Sequence, residues 1–123
     1  MEKNNYQEND LIKNIIAVAD SKAAFDFYAV NVVEFSDITD IFILMSCKNE
    51  RQIKAVTNEI SKVLKKEYGL APLRLDANFE SRWVVMDYVN IIVHIFHEDV
   101  RALYDLEKLW EKGKIIQDIQ VSK

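Results

Sequence analysis

The feature that most constrains this chain is a run of seven almost entirely apolar residues, Ile41 to Cys47 (IFILMSC). A strand with one wet face alternates polar and apolar residues, whereas a continuous apolar run is typical of a strand buried on both faces. Such a strand needs further layers packed against both of its sides. The run therefore predicts a mixed sheet with helices packed against it.

Periodicity places the other elements around this strand. Apolar residues at helical spacing predict a first helix that Asp10 caps, with a buried stripe of Ile12, Ile15, Ile16, Ala19 and Ala23. A second helix is predicted between the capping pair Asn49 and Gln52 and the stop residue Gly69. The remaining elements are four strands at 26–33, 72–76, 83–86 and 91–97, and a last helix from Glu98 to about Lys112. The predicted fold class is α/β (α+β), a single domain with a mixed five-stranded sheet packed with helices.

Length and composition fit one intracellular domain. The 123 residues contain only 2 Gly and 1 Pro, so no long linker is expected. We expect a flexible N-terminus at 1–9, a domain at 10–112 and a C-terminal tail at 113–123. The single Cys47 rules out an intramolecular disulfide framework and suits a reducing compartment. Because no apolar stretch approaches the ~20 residues of a membrane span, the predicted location is the cytoplasm, with no membrane partner.

Charge narrows the class of partner. The chain carries 16 Lys and Arg against 20 Asp and Glu, a net charge of −4. This balance predicts no direct binding to nucleic acid, since proteins bind phosphate backbones through an excess of basic side chains. A basic protein surface is the more natural partner.

The common signatures of catalysis are missing. The only glycines, Gly69 and Gly113, lie too far apart for a phosphate-binding loop, a dinucleotide fingerprint or a nucleophile elbow. His94 and His97 point to opposite faces of one strand and so cannot share a metal ion. Cys47 ends a buried run, which favours a packed thiol over a nucleophile. We expect no cofactor, no metal site and no enzymatic activity.

Aromatic and polar residues concentrate in the last third of the chain, in the segment WVVMDYVNIIVHIFHEDVRALYDLEKLW. These aromatics could be plain core. Two Trp and two Tyr next to an Arg are also the composition of a protein-binding hot spot. Composition gives equal weight to the core and to the protein-binding interpretation. Tyr88 and Arg101 are predicted to contribute more to binding than to folding.

The same segment resembles a known family. Its three blocks are Trp83-Val-Val-Met-Asp87-Tyr88, then Val93-His94-Ile-Phe96, then Arg101-x-x-Tyr104-Asp-Leu106-Glu107-Lys-Leu109-Trp110. In order and spacing they are similar to the ribosomal silencing factor (Iojap-like) family, and the resemblance covers about residues 11–111. One departure is Val89-Asn90, which replaces a common Gly-Asp in the hairpin and puts the local turn geometry in question.

The resemblance implies a nucleotidyltransferase-like fold without catalytic activity. It implies binding to protein fourteen of the large ribosomal subunit at the intersubunit face, a steric block of subunit joining, repression of translation, and a homodimer when free. The predicted partner-binding residues lie in the hairpin and the helix that follows it, segments adjacent in the chain. They are Trp83, Asp87, Tyr88, His94, Arg101, Tyr104, Glu107 and Trp110. The alternatives are an assembly factor for the large subunit and a nucleotidyltransferase-type enzyme. The enzyme is disfavoured because the chain has neither a Gly-Ser pair nor an Asp-x-Asp motif.

Overall fold

The computed structural model describes residues 8–33, 39–78, 82–103 and 114–115. These segments contain three helices and six strands. In chain order they are α1 (Glu8–Ser21), β1 (Phe25–Asn31), β2 (Ile41–Cys47), α2 (Glu50–Tyr68), β3 (Arg74–Asn78), β4 (Trp83–Asp87), β5 (Ile91–His97), α3 (Glu98–Leu103) and β6 (Lys114–Ile115).

The strands form one mixed sheet in the order β3-β4-β5-β2-β1-β6. The apolar run Ile41–Cys47 is the strand β2, which pairs in parallel with β5 on one side and antiparallel with β1 on the other. The prediction of a doubly buried central strand in a mixed sheet is confirmed, as are the five predicted strands. The two-residue β6 pairs with the outer side of β1 and adds a sixth strand from within the segment predicted as a tail.

The two faces of the sheet differ in what covers them. On the helix face, α1 and α2 pack over a core of strand side chains that includes Ile43, Met45, Cys47, Val84, Met86, Val93 and Ile95. On the other face a smaller cluster forms from Val30, Val32, Leu44 and Phe96, with Tyr28, Phe42, Trp83 and Val100 packed against it. We call this second face the aromatic face. The alternating strand side chains divide the core between the two faces.

Helix α2 begins and ends where the sequence predicts. The Asn49 side chain accepts a hydrogen bond from the backbone N–H of Gln52 at 2.8 Å. The Gln52 side chain in turn accepts from the N–H of Lys48 at 2.6 Å, one residue earlier than in the usual capping box. Gly69 adopts a left-handed φ of 66° and donates its N–H to the carbonyl of Lys65 at 3.0 Å.

The first helix differs from the prediction at both ends. It begins at Glu8, so Asp10 lies inside the first turn rather than at the cap. At the other end the helix stops at Ser21, and Ala23 is exposed with a left-handed φ of 70°. Ala24, with no exposed surface, enters the core instead. The apolar repeat persists past the helix because the chain must still bury a residue where it turns into β1.

Strand ends also shifted from their predicted positions. β1 spans Phe25–Asn31 rather than 26–33, and β3 spans Arg74–Asn78 rather than 72–76. The register of β3 is set by its pairing with β4, from Arg74 opposite Asp87 to Asn78 opposite Trp83. Pairing with neighbouring strands, which the pattern of a single strand does not contain, decides where β1 and β3 stop. The last helix starts at Glu98 as predicted, and its predicted continuation from 104 to 112 lies outside the described residues.

Candidate functional site

Three of the predicted partner-binding residues lie on the aromatic face. Trp83 and Asp87 are the first and last residues of β4, and His94 lies on the neighbouring strand β5. The register pairs Trp83 with Phe96 and Asp87 with Ile92, and these alternate positions share one side of the sheet. The fold thus gathers three residues of two separate sequence blocks into one strip.

His94 is the centre of an aromatic cluster in this strip. Its ring stacks on Phe96 with a centroid distance of 5.9 Å and an interplanar angle of 5°. Phe42 meets the same ring edge-on at 5.2 Å. Trp83 lies 4.9 Å from Phe96 and directs its indole N–H to Nδ1 of His94 at 3.4 Å. Such contacts between rings hold each side chain in one orientation.

Burial determines the protonation of His94. Loss of solvent around the ring lowers the pKa of His94 from 6.5 to about 4. The ring is therefore neutral at pH 7, and because Nδ1 accepts the indole N–H, the ring proton resides on Nε2. That buried Nε2 has no hydrogen-bond partner among the described residues. His94 thus offers a hydrogen-bond donor rather than a charge.

Asp87 has a local structural role at the far end of β4. Its carboxylate accepts the backbone N–H of Val89 at 2.8 Å, which braces the turn into β5. Val89 takes a left-handed φ of 78°, an unusual conformation for a β-branched residue. The turn keeps the geometry that glycine usually supplies, and the Asp87 carboxylate stabilises it.

Tyr88 faces the opposite way from these residues. Its side chain is 8% exposed and belongs to the core between the sheet and the helices. Burial raises the pKa of Tyr88 to about 12. The prediction that Tyr88 contributes more to binding than to folding does not fit this position, because the ring fills core volume. Any effect of Tyr88 on partner binding is therefore coupled to its role in the core.

The other predicted residues follow the strip in sequence. Arg101 lies in α3, which starts directly after β5 and contributes Val100 to the aromatic face. Tyr104, Glu107 and Trp110 lie outside the described residues. The fold therefore places Trp83, Asp87 and His94 on one face, carries Arg101 in the helix that follows β5, and puts Tyr88 on the opposite face.

Two residues of the aromatic face were missed by sequence reasoning. Phe42 contacts His94, and Tyr28 packs against the same cluster. The continuous apolar run of β2 hides the alternation that would have assigned Phe42 to a face. Only the parallel register, which pairs Leu44 with His94 and Phe42 with Ile92, makes the assignment.

Other chemistry is limited in the described segments. They contain no cluster of three or more His, Cys, Asp or Glu able to hold a metal ion. Cys47 has no exposed surface, and burial raises the pKa of its thiol to about 12, which confirms the prediction of a packed thiol. None of the helices in these segments is both long and apolar enough to cross a membrane.

Comparison with known proteins decides the family. Residues 5–123 match the family model described as "Ribosomal silencing factor during starvation". The chain is 37% identical over 108 residues to ribosomal silencing factor RsfS of Halalkalibacterium halodurans, covering 88% of this chain and 92% of that protein. This chain belongs to the ribosomal silencing factor family. The resemblance found in its last third is thereby confirmed.

A solved structure of similar sequence shares this fold. A crystal structure from Bacillus halodurans superposes with a TM-score of 0.73 at 34% identity, covering 84% of this chain and 95% of that one. The chain is also similar, more distantly, to the mouse protein named "Mitochondrial assembly of ribosomal large subunit protein 1". It is 23% identical over 101 residues, covering 80% of this chain and 44% of the mouse protein.

Proposed function

We propose that this ribosomal silencing factor binds the large ribosomal subunit through its protein fourteen, at the face that meets the small subunit. Occupation of that face excludes the small subunit sterically and represses translation. The observation that carries the proposal is the match of 5–123 to the silencing factor family. The protein acts by occupancy in the cytoplasm, without catalysis or a cofactor.

The aromatic face and α3 supply the contact surface in this proposal. Trp83 and His94 are partly buried, and their rings are fixed by Phe42 and Phe96. Rigid aromatic side chains lose little entropy on binding and are frequent interface anchors. Arg101 follows on α3. We also assign to this surface Tyr104, Glu107 and Trp110, which lie outside the described segments and belong to the sequence block that resembles the family.

Charge supports a basic protein partner. A chain with net charge −4 gains in association rate and orientation when it meets a positively charged surface. Rising salt should then weaken binding mainly by slowing association. A roughly tenth-power dependence on salt concentration would instead indicate direct contact with many RNA phosphates and contradict this part of the proposal.

Co-sedimentation with purified subunits tests the function. The protein should sediment with isolated large subunits and, when added before small subunits, should lower the yield of assembled ribosomes. Binding to free large subunits without loss of assembled ribosomes would contradict the steric mechanism. Failure to bind mature large subunits at all would contradict the proposal as a whole.

A pair of charge variants tests the surface. Arg101→Ala should weaken binding by about 1–3 kcal/mol, the range of interface anchors. Lys13→Ala is the matched control, since Lys13 is an exposed residue of α1 in the helix layer on the opposite face. Equal losses for both variants would show that the effect is not specific to this surface and would contradict its assignment as the contact surface.

An assembly role is the second candidate function. The name of the mouse relative refers to assembly of a large ribosomal subunit, and the two proteins share 23% identity. An assembly factor would bind immature large-subunit particles in preference to mature ones. The sedimentation experiment separates the two roles when both kinds of particle are supplied.

The oligomeric state belongs to the same proposal. We expect a homodimer in the free protein, as the family resemblance implies. Sedimentation equilibrium of the protein alone, across a range of concentrations, measures it. A monomer at every concentration would contradict the expectation while leaving the binding proposal open to its own test.

A further inference from the structure

A cavity lies at the end of the sheet where β2 and β5 finish. It has a volume of about 500 Å³ and is lined by Asn49, Glu50, Arg51, Arg82 and His97. A volume of this size falls within the range of small-molecule sites. No role proposed above for the ribosomal silencing factor uses these side chains.

The topology places the cavity where sheets of this kind bind ligands. The parallel strands β2 and β5 end side by side, with Cys47 opposite His97. From there the chain continues to opposite faces, because α2 packs in the helix layer while α3 contributes Val100 to the aromatic face. Ligands of open α/β sheets bind outside the carboxyl ends of parallel strands at such a switch point.

Two of the five lining residues are arginines. Arg51 and Arg82 are both exposed, and neither guanidinium has an ion-pair partner within the described part of the chain. The carbonyl of Arg82 accepts the N–H of His97 at 2.9 Å, which anchors the two residues beside each other. Arg51 and Arg82 both line this one cavity, and the paired N–H donors of a guanidinium group match the oxygens of a phosphate.

His97 adds a hydrogen-bonding ring to the site. Its Nδ1 accepts the backbone N–H of Asp99 at 3.1 Å, so in the neutral ring the proton resides on Nε2. Glu50 is the acidic side chain of the lining, and it repels a bare anion while accepting hydrogen bonds from hydroxyl groups. The lining therefore favours a ligand that combines a phosphate with hydroxyl groups.

We propose that this cavity binds a small sugar phosphate. The phosphate lies on Arg51 and Arg82 with support from His97, and a sugar hydroxyl donates to Glu50. The lining of this site contains none of the residues assigned above to the ribosome-binding surface. Its ligand need not be transformed, since the cavity supplies binding groups only.

Amide NMR titration of the full chain with ribose 5-phosphate tests the proposal. We expect saturable shifts at Asn49, Arg51, Arg82 and His97 with a dissociation constant of about 1 mM or lower. Inorganic phosphate should bind more weakly, and ribose should cause no saturable shift at these amides. Absence of saturation with ribose 5-phosphate would overturn the proposal.

Variants identify the groups that bind. Arg51→Gln and Arg82→Gln should each weaken binding about tenfold or more, the effect of losing one charge-assisted contact. Arg74→Gln is the matched control, since exposed Arg74 lies opposite Asp87 at the other end of the sheet. Equal effects from all three variants would overturn the site. Glu50→Gln should strengthen binding of inorganic phosphate and reduce the preference for ribose 5-phosphate.

A short single-stranded RNA distinguishes the source of the phosphate. We expect ribose 5-phosphate to shift the amide resonances of the cavity residues at least as strongly as RNA does at the same concentration of nucleotides. Saturable binding of RNA at this cavity, with no binding of ribose 5-phosphate, would assign the site to a nucleic-acid backbone and overturn the proposal.

Discussion

Trp83 directs its indole N–H to Nδ1 of His94, 3.4 Å away on the neighbouring strand. The contact links the first residue of β4 to the middle of β5 and leaves the His94 proton on the buried Nε2. Protonation of Nδ1 would make its N–H face the indole N–H of Trp83, two donors against each other. It would also place a positive charge in a buried cluster of aromatic rings. The pair is therefore stable only while the imidazole is neutral.

Acid should destabilise the protein through His94. The pKa of His94 is about 4 in the native state, against 6.5 for an ordinary histidine, so the unfolded chain binds more protons between these values. Stability contributed by His94 is complete above pH 6.5 and falls as the pH drops toward 4, by up to about 3 kcal/mol. Urea melts of the wild type and His94→Gln at pH 7 and pH 4.5 measure the difference. Gln keeps an acceptor for Trp83 without titrating, and an identical pH dependence of both proteins would contradict the prediction.

Tyr88 offers a test of its place in the core. Tyr88→Ala should lower the free energy of unfolding by about 3–5 kcal/mol, the cost of emptying a buried aromatic site. Tyr88→Phe should be neutral or stabilising by up to about 1 kcal/mol, because the hydroxyl has no partner among the described residues. Thermal melts of both variants decide the matter, and a destabilising Phe variant would mean that the hydroxyl is bound after all.

Replacing Val89 with glycine should increase the stability of the protein. Its φ of 78° strains a β-branched side chain that is 53% exposed and contributes little burial. Val89→Gly should stabilise the protein by up to about 1 kcal/mol, since relief of strain exceeds the entropy that glycine adds to the unfolded chain. Val33→Gly is the control, because Val33 is also exposed and is not among the residues with positive φ. A loss of stability in Val89→Gly equal to that in Val33→Gly would contradict the prediction.

The Cys47 thiol should be protected from alkylation in the folded protein. Burial raises its pKa to about 12, so at pH 8 the reactive thiolate is rarer than in the unfolded chain by roughly a thousandfold. Iodoacetamide labelling followed by mass spectrometry, with and without urea, measures the ratio. Rapid labelling without urea would show that the end of β2 opens to solvent far more often than the packed structure implies.

Local pattern was sufficient for the elements whose cause is local. The ends of α2 follow from Asn49 and Gly69, because a side-chain acceptor and a left-handed residue act within one turn of the helix. The burial of Ile41–Cys47 on both faces followed from its almost continuous apolar run. The family followed from fixed residue types at fixed spacing in the last third of the chain.

The composition of each face required the tertiary structure. Trp83 and Tyr88 lie within one sequence block, yet Trp83 belongs to the aromatic face and Tyr88 to the core beneath the helices. Their separation depends on where β4 ends and on the register of its pairing with β5. A strand reverses the direction of its side chains at every residue, so a shift of one position would exchange the two roles.

The sequence by itself therefore determined the kinds of element, the caps of α2, the doubly buried strand and the family. The tertiary structure alone decided that Phe42 joins His94, that Tyr88 is core, and that Arg51, Arg82 and His97 line one cavity. The physical reason is range. Caps and periodicity act between residues a few positions apart, whereas faces and cavities arise from strand pairing between segments tens of residues apart.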